Sequence, residues 1–508
     1  MNKGIEIGKF TLESLTTGMY NEPETCYREY IQNAVDSLDS ALELGIVSAD
    51  EFRIEIIVDD LRREISIKDN GTGIVKDAIV NTLLDIGNSS KKHSINRGFR
   101  GIGRLGGLSY CDRLSFCTTA IGEGEKSLVT FDCKRLKELL VPEKNSEYNL
   151  QRVIEEVVEI RYFPEQVSAH YFIVKMEGID EISSLIDIAN ARDYISQVAP
   201  VPYKSNFYWQ SNIKNTMKEA NVAIQEYPIF LGKSFEKLTQ LFKPYKLSFQ
   251  SDKGKFNDTV LGLSFFKIEN DTRIVAYGWY ANTHFAGTLL DDTISGIRIR
   301  KGNIQIGDSR TVAQFIKESR FNAWAIGEVF VLSDGLIPNA RRDDFEKNDE
   351  YAIFCAGLRE TVGNELTNKI RESSKRRNNP IQRTLGEVQQ SVAQVDQIVQ
   401  NGFNSSFEKE QVTEALTKTR KRLYTIPRNA SSETLAQKEA LVSQIQGLEE
   451  RVEESNNYKV QDGFSEFSKS ERKIIVAMME VLSKNFARET VNSLFSEFRD
   501  ELKHGGRR

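Results

Sequence analysis

The pattern of apolar and polar residues predicts a mixed helix-and-strand domain over residues 1–185. Apolar residues recur every three or four positions over about 22–44, which predicts a helix that Gly45 ends. Strand patterns occur at 52–58, 64–68, 113–119, 127–133 and 171–176. The charged, proline-containing stretch 134–165 shows neither pattern clearly, so we interpret it as an inserted surface segment.

The periodicity changes at about residue 186 and again at about 360. Between these points, strand patterns alternate with helical patterns. Examples are the strand patterns 275–280 and 296–300 and the helical patterns 213–225 and 311–318. We therefore predict an α/β middle domain over 186–360.

The remainder, 361–508, is predicted to be helical. Two runs of apolar residues at three- and four-residue spacing would each form a helical seam. Their members are Leu385, Val388, Val392, Val395 and Val399, and then Leu441, Ile445, Leu448 and Val452. Because Pro427 and Ser431 interrupt the pattern between the runs, we predict a helical hairpin rather than one rod. The seams could form a bundle core within one chain or a coiled coil that pairs two chains, and an amphipathic helical tail follows over 468–502.

Composition and charge narrow the class of protein. The 508 residues are 39% hydrophobic and 28% charged, which is typical of a soluble globular chain of two to four domains. A net charge of −5 gives no global basic field for nucleic acid, and no run of about 18 apolar residues suggests a membrane span. Five scattered cysteines, four histidines without ligand spacing and the lack of a secretory pattern predict a reduced, cytoplasmic protein without structural zinc.

The first predicted helix carries a row of two carboxylates and an amide. Glu29, Asn33 and Asp36 stand at i, i+4 and i+7 and therefore share one helix face. The adjacent faces are apolar through Tyr30, Ile31, Ala34 and Val35. A helix packed into a core could present the three polar groups to a metal-bound phosphate and an attacking water. Taken alone, such a row is more often a solvated helix face.

Three further motifs follow this row along the chain. Asp69-x-Gly71-x-Gly73 comes directly after a predicted strand, where an aspartate could accept from a purine amine and the glycines would let the base approach the main chain. Residues 86–92 offer hydroxyl and ammonium groups, and glycines in 97–107 can expose successive N–H groups to an anion. Taken singly, the Asp69 motif also fits an ordinary turn, residues 86–92 a solvated basic turn and residues 97–107 a flexible loop.

In this order the motifs resemble those of the GHKL ATPase superfamily, which includes gyrase B, histidine kinases, MutL and the 90-kDa heat-shock chaperones. The sequence has neither a Walker P-loop nor a Rossmann fingerprint. The resemblance is closest to heat-shock-protein-90-like and MORC-like ATP-binding proteins. It implies an α+β protein with an N-terminal Bergerat-type α/β sandwich that binds ATP and Mg2+, an α/β transducer-like middle domain and the helical C-terminal region.

The resemblance also implies a role for each motif residue. Glu29 would be the general base, Asn33 the Mg2+ ligand and Asp36 a support of the pocket near ribose or adenine. Adenine would be contacted by Asp69, Gly71 and Gly73. Ribose and phosphates would be contacted by Ser90, by Lys91 or Lys92, between which the sequence does not choose, and by Gly98, Phe99, Arg100, Gly101, Ile102 and Gly103, the last six forming the ATP lid.

One strand departs from the family pattern. The final pocket strand of the family carries a Gly-Thr whose hydroxyl helps to bind adenine, whereas the matching stretch here, 168–174, has neither residue. The departure concerns the adenine side of the pocket and leaves the expected role of Glu29 unchanged.

The segment 327–345 resembles the part of the chaperone middle domain that ends in a catalytic arginine. Matching Pro338 and Asn339 selects Arg342 for that role, with Arg341 as the alternative. A cation from another domain would stabilise the γ-phosphate during its transfer. The competing interpretation is a surface network between these arginines and the aspartates that follow them.

Together these features predict an ATP-hydrolysing molecular clamp that is chaperone-like, acts on a protein client or partner and forms a homodimer or higher homo-oligomer. Resemblance to uncharacterised bacterial ATP-binding proteins also suggests a role in anti-phage defence. One alternative is a DNA-associated clamp of the MutL or MORC kind, for which the basic run 369–377 could contact phosphates. The other is a nucleotide-gated scaffold with negligible turnover.

Overall fold

The computed structural model divides the chain into two compact units, Met1–Lys369 and Ile370–Arg508. The structure describes residues 8–15, 22–85, 103–141, 148–271, 273–377, 379–455, 458, 468–486, 488, 490–492 and 494–495. Every described strand lies in the first unit and the second is helical, so the predicted α+β class is confirmed. None of the helices in these ranges is long and apolar enough to cross a membrane. The domain limits predicted near 185 and 360 stay predictions.

An eight-stranded sheet forms the framework of the N-terminal part of the first unit. Its strands are β1 (Ile54–Asp59), β2 (Glu64–Asp69), β3 (Arg113–Thr119), β4 (Glu125–Asp132), β5 (Val158–Pro164), β6 (Tyr171–Glu177), β7 (Ile229–Gly232) and β8 (Leu238–Gln240). Their order across the sheet is β5-β4-β3-β6-β2-β1-β7-β8, and the described pairs are antiparallel except β1 with β7. The helices of this part are α1 (Phe10–Leu15), α2 (Thr25–Glu43), α3 (Ile79–Leu83), α4 (Cys133–Leu139), α5 (Leu150–Val157), α6 (Ile188–Val198) and α7 (Gln210–Glu219).

The α2 helix packs on the sheet because its apolar residues and those of the strands share one core. Ile31, Val35 and Leu38 of α2 are almost fully buried in this core. On β2, Ile65, Ile67 and Asp69 are buried while the residues between them are half-buried. The two-residue period of the strand thus places Asp69 on the same face as the apolar residues.

The described residues of the stretch 134–165, which are 134–141 and 148–165, are part of the fold rather than an inserted surface segment. They include most of α4, all of α5 and β5, which is an edge strand of the sheet. Along β5 the burial alternates only weakly and most side chains are exposed. The expectation was therefore wrong because an exposed edge strand does not need the apolar alternation that identifies an inner strand.

A second sheet, of five strands, forms the C-terminal part of the first unit. After the hairpin of β9 (Ser248–Ser251) and β10 (Phe256–Thr259) come β11 (Gly262–Asn270), β12 (Arg273–Asn282), β13 (Gly296–Lys301), β14 (Ile304–Ile306) and β15 (Ile326–Val331). The sheet order is β11-β12-β15-β13-β14. The chain then continues through α8 (Asp349–Leu358), a π-helical turn at Arg359–Asn364 and α9 (Glu365–Arg377). The helical pattern at 311–318 forms only a short 3-10 helix, Thr311–Phe315.

A buried ionic cluster joins the second sheet to α6 and to the segments that precede this sheet. Lys243, Arg300 and Glu328 are each fully buried. The Lys243 ammonium lies 2.9 Å from both carboxylate oxygens of Glu328, and Arg300 and Tyr203 also bond to this carboxylate. Arg300 donates a further bond, of 2.8 Å, to the carbonyl of Gln197 in α6. Glu328 therefore connects β15 to α6 and to the segments that lead into the second sheet.

The second unit contains α10 (Pro380–Asn401), α11 (Ser406–Leu423), α12 (Ser432–Glu454) and α13 (Lys469–Asn485). Both predicted seams lie in one core, to which Val412, Leu416 and Leu423 of α11 contribute. The predicted break falls between α11 and α12. The predicted hairpin of α10 and α12 therefore contains a third helix, α11, that the seam pattern did not indicate. The core that these three helices share lies within one chain.

Candidate functional site

The α2 helix holds the polar row at the edge of its buried face. Glu29 is 6% exposed and Asp36 is 2% exposed, whereas Asn33 is half-buried. The row is thus not a solvated helix face. Carboxylates at this depth are stable when compensating cations or donors surround them.

Two arginines provide that compensation for Glu29. The Nε atom of Arg342 lies 3.2 Å from Oε1 of Glu29, and the Nε atom of Arg28 lies 3.6 Å from the same oxygen. Gly103 lies against the other oxygen, because a Cβ at this position would collide with Oε2. The end of the glycine-rich segment and an arginine 313 residues away from Glu29 therefore meet at one carboxylate.

The loop that carries Arg342 is closed by main-chain bonds. An isolated bridge joins Pro338 to Phe345, and Gly307 N donates a bond of 2.7 Å to the carbonyl of Arg342. Arg342 has a left-handed backbone with φ of +57°, which is costly for a residue with a side chain. Arg28 donates 2.9 Å to the carbonyl of Arg341, whose side chain is exposed. Of the two candidate arginines, the structure places Arg342 beside Glu29.

The Asp69-x-Gly71-x-Gly73 segment lies between α2 and the end of the sheet. Asp69 is 3% exposed, and its Oδ1 accepts 2.9 Å from Gly71 N. A Cβ at Gly71 would collide with the Ser37 side chain of α2. Gly73 has a φ of +63°, and a Cβ there would collide with the carbonyl of Thr119. Both glycines are therefore required by close approach of neighbouring backbone and side chains.

Three residues without a predicted role fasten this segment. Ser37 Oγ accepts 3.1 Å from Thr72 N on the helix side. On the sheet side, Thr118 Oγ1 accepts 3.0 Å from Ile74 N and donates 2.8 Å to the carbonyl of Tyr171. His170 Nδ1 lies 2.9 Å from the carbonyl oxygen of Gly71. Only His170 had a sequence signal, since it stands in the stretch that lacks the expected Gly-Thr.

The end of the glycine-rich segment is fixed to α2. The 3-10 helix Gly103–Ser109 follows the segment. The Tyr30 hydroxyl accepts 2.9 Å from Gly107 N and lies 3.2 Å from the carbonyl of Arg104, to which it donates. Arg104 in turn donates to the carbonyls of Leu83 and Asp85, at the C-terminal end of α3. A residue chosen in the sequence only as an apolar helix position thus anchors the segment.

Several predicted site residues lie outside the described residues. They are Ser90, Lys91, Lys92, Gly98, Phe99, Arg100, Gly101 and Ile102. Their roles stay predictions. The structure does bring together the other predicted residues. These are Glu29, Asn33 and Asp36 on α2, Asp69 at the end of β2, Gly71 and Gly73 after it, Gly103, and Arg342 from the loop after β15.

The residues present fit a magnesium ion better than a transition metal. In the described ranges no group of three or more His, Cys, Asp or Glu is placed to hold a metal. Asn33 is half-buried one helical turn from Glu29, and its amide forms no hydrogen bond with any residue in those ranges. Mg2+ takes few protein ligands and keeps several waters, so one available amide oxygen suits it.

The basic run 369–377 is not a uniform surface patch. The Lys369 ammonium donates to Ser264 Oγ at 2.8 Å and to Asn282 Oδ1 at 2.9 Å, and it lies 4.7 Å from the Tyr280 ring centre. Burial lowers the pKa of Lys369. Lys369 therefore serves the packing of the second sheet, and DNA contact by the rest of the run stays a prediction.

Comparison with known proteins gives a match to one family model, described as histidine kinase-, DNA gyrase B- and HSP90-like ATPase, over residues 20–159. Among curated proteins, the chaperone protein HtpG of Rickettsia typhi is 27% identical over 161 residues, which cover 28% of this chain and 25% of that protein. The HtpG of Rickettsia prowazekii gives the same figures. That of Campylobacter jejuni is 36% identical over 88 residues, covering 16% of this chain and 14% of the relative. The chain thus matches about a quarter or less of the length of these relatives.

Proposed function

We propose, from the premise that residues 20–159 form a GHKL-type ATPase domain related to the heat-shock-protein-90 class, that this chain binds and hydrolyses ATP. Glu29 would accept a proton from the attacking water as the oxygen bonds to the γ-phosphorus and the bond to the β-phosphate oxygen breaks. Asp69 would accept from the adenine amine, and Asp36 would support the pocket. Mg2+, held through Asn33, supplies positive charge to the phosphates when bound.

The observation that carries this proposal is the contact between Glu29 and Arg342. Glu29 and Arg342, a cation from the loop that follows β15, lie 3.2 Å apart in a buried site beside Gly103. Arg342 neutralises Glu29 in this arrangement. A phosphate beside Glu29 carries more negative charge than one carboxylate and would attract Arg342. Glu29 would then be free to accept a proton while Arg342 stabilises the transferring group.

The finer functions are also proposals. The relation to HtpG supports a chaperone-like clamp that acts on a protein client, forms a homodimer or higher homo-oligomer and works in the cytoplasm. A part in bacterial anti-phage defence rests on resemblance alone. A MutL- or MORC-like clamp would be favoured by DNA-stimulated hydrolysis. A scaffold with negligible turnover would be favoured by ATP binding without hydrolysis.

The test separates catalysis from binding. Glu29→Ala should lower the rate of ATP hydrolysis at least about 10²-fold, because the general base is lost, while ATP still binds. Asp69→Asn should instead weaken ATP binding itself. Phosphate release and the equilibrium Kd for ATP are measured for both variants.

Glu43→Ala is the matched control, because Glu43 is an exposed glutamate on the same helix. It should leave both quantities unchanged. Normal hydrolysis by the Glu29→Ala protein would show that the base lies elsewhere.

A further inference from the structure

The segment Asn70–Ile74 follows β2, whose last residue is Asp69, and its main chain bonds the Asp69 carboxylate. Gly71 is central to it, because its N–H donates 2.9 Å to Asp69 Oδ1 while its carbonyl oxygen faces His170 Nδ1 at 2.9 Å. The main chain at Gly71 is thus bonded on both sides. A change at His170 would reach Asp69 through this one residue.

The sheet register brings His170 to this position. In the antiparallel pair of β2 and β6, Asp69 lies opposite Phe172. Continuing the same register by two residues places His170 opposite Gly71. A carbonyl oxygen can only accept, so Nδ1 of His170 must carry the hydrogen in this bond. The imidazole therefore acts as a donor with a defined tautomer or as the cation.

The neighbouring bonds restrict the other end of the segment and the far side of the peptide group that carries the Gly71 carbonyl. Thr118 fixes Ile74 to β3 and β6, and Ser37 fixes Thr72 to α2. Among the described residues, His170 is the side chain that bonds the carbonyl of Gly71. Without it, the peptide group between Gly71 and Thr72 would be held only through Thr72 N, and a shift at Gly71, which has no side chain, would pass to the preceding amide that orients Asp69.

We propose that His170 is a positioning residue for purine recognition, which acts on the base through Gly71 and Asp69; this rests on the proposed ATP binding. Asp69 distinguishes adenine from hypoxanthine only if its carboxylate points steadily at the exocyclic amine that hypoxanthine lacks. His170 stands in the stretch that lacks the expected Gly-Thr, and its bond to the Gly71 carbonyl helps to keep the Asp69 carboxylate in this direction. Loss of the His170 imidazole should therefore lower the preference for adenine over hypoxanthine and have little effect on the free energy of unfolding.

The test measures the Kd of the full chain for ATP and for inosine triphosphate. The wild type should prefer ATP. His170→Ala should raise the Kd for ATP about 5- to 10-fold, which is the effect of one lost hydrogen bond, and change the Kd for inosine triphosphate less. At saturating ATP the rate of hydrolysis should stay within about twofold, because Glu29 and Arg342 are untouched.

Two variants separate positioning from folding. His170→Asn places an amide N–H near the position of Nδ1 and should restore the preference for ATP to within about twofold of the wild type. His284→Ala is the matched control, because the Nδ1 atom of His284 bonds Asp258 Oδ1 at 3.0 Å in another part of the unit. It should leave both Kd values unchanged.

The outcomes are distinguishable. If the wild type binds neither nucleotide, the proposed function fails and the role of His170 fails with it. If the wild type prefers ATP and His170→Ala keeps the same preference, the role of His170 alone is refuted. A uniform loss of both nucleotides with a lower melting temperature, unrelieved by His170→Asn, would make His170 a structural residue and refute the proposal as well.

Discussion

At the scale of single residues, the two adjacent arginines of the loop after β15 differ in backbone torsion and in side-chain position. Arg342 takes a left-handed conformation, which costs about 1–3 kcal/mol, and its side chain reaches Glu29. Arg341 contributes its carbonyl to Arg28 and exposes its side chain. The sequence motif selected Arg342 but kept Arg341 as an alternative, because residue order does not reveal φ.

This difference gives a direct prediction. Arg342→Ala should lower the rate of ATP hydrolysis on the order of 10²-fold with little change in the Kd for ATP, because a cation that acts on the transferring phosphate is lost. Single-turnover hydrolysis and equilibrium binding measure the two effects. Arg341→Ala is the control and should hydrolyse ATP at nearly the wild-type rate. The reverse result for the two variants would transfer the role to Arg341.

At the scale of elements, the site depends on how closely α2, β3 and the segment after β2 approach one another. Gly71 and Gly73 allow this approach, as the collisions of an added Cβ with Ser37 and Thr119 show. The sequence predicted that these glycines permit close contact. It predicted contact with a base, whereas the structure adds contact with the protein's own helix and strand.

Gly73→Ala should therefore weaken both stability and nucleotide binding. The alanine would have to adopt a φ near +63° and displace the backbone of Thr119, so we expect a loss of about 2 kcal/mol or more in unfolding free energy. Urea unfolding and the Kd for ATP measure the effects. Gly124→Ala is the control, because nothing lies within 4 Å of a Cβ there. Equal stability of the two variants would contradict the close approach.

The elements that the sequence missed share a physical cause. The edge strand β5 exposes most of its side chains, so its pattern lacks the apolar alternation of an inner strand. In the second unit, α11 buries few of its 18 residues. Its many charged residues interrupt the apolar spacing from which a helical seam is predicted. In contrast, α2 and β2 were predicted closely because burial imposes a strict period on them.

At the scale of the whole first unit, a series of bonds links the ionic cluster around Glu328 to the main chain of Arg342. Arg300 of this cluster bonds α6. It lies on β13, which pairs with β14, and Gly307 directly after β14 bonds the carbonyl of Arg342. Burial alone would raise the pKa of Glu328, but Arg300 and Lys243 outweigh it and lower this pKa to about 2. Burial and the Arg300 charge lower the pKa of Lys243 to about 7.

Glu328→Gln should destabilise this unit by about 3–5 kcal/mol at pH 7, because the buried Arg300 cation and the Lys243 amine lose the carboxylate that pairs with them. The pKa of Glu328 is lower in the folded chain than its ordinary 4.5, so its contribution is present above pH 4.5 and is lost as the pH falls toward 2. The difference between wild type and variant should therefore narrow over that range. Urea unfolding followed by tryptophan fluorescence reports on this unit, since Trp209, Trp279 and Trp324 all lie in it.

Glu156→Gln is the control for this experiment. Glu156 is exposed and pairs with Arg135 on the surface, so its loss should leave the unfolding curve nearly unchanged. A constant difference between wild type and Glu328→Gln from pH 7 to pH 3 would contradict a lowered pKa of Glu328.

The sequence by itself determined the α+β class, the helix that carries Glu29, Asn33 and Asp36, the turn after Asp69 and the helical seams of the second unit. These features depend on local order, because side-chain period and glycine spacing are set within a few residues. Only the tertiary structure decided that Arg342 meets Glu29, that His170 bonds Gly71 and that Lys243 pairs with Glu328. Those contacts join residues from 85 to 313 positions apart, and only strand register, a left-handed torsion and the packing of buried charges bring them together.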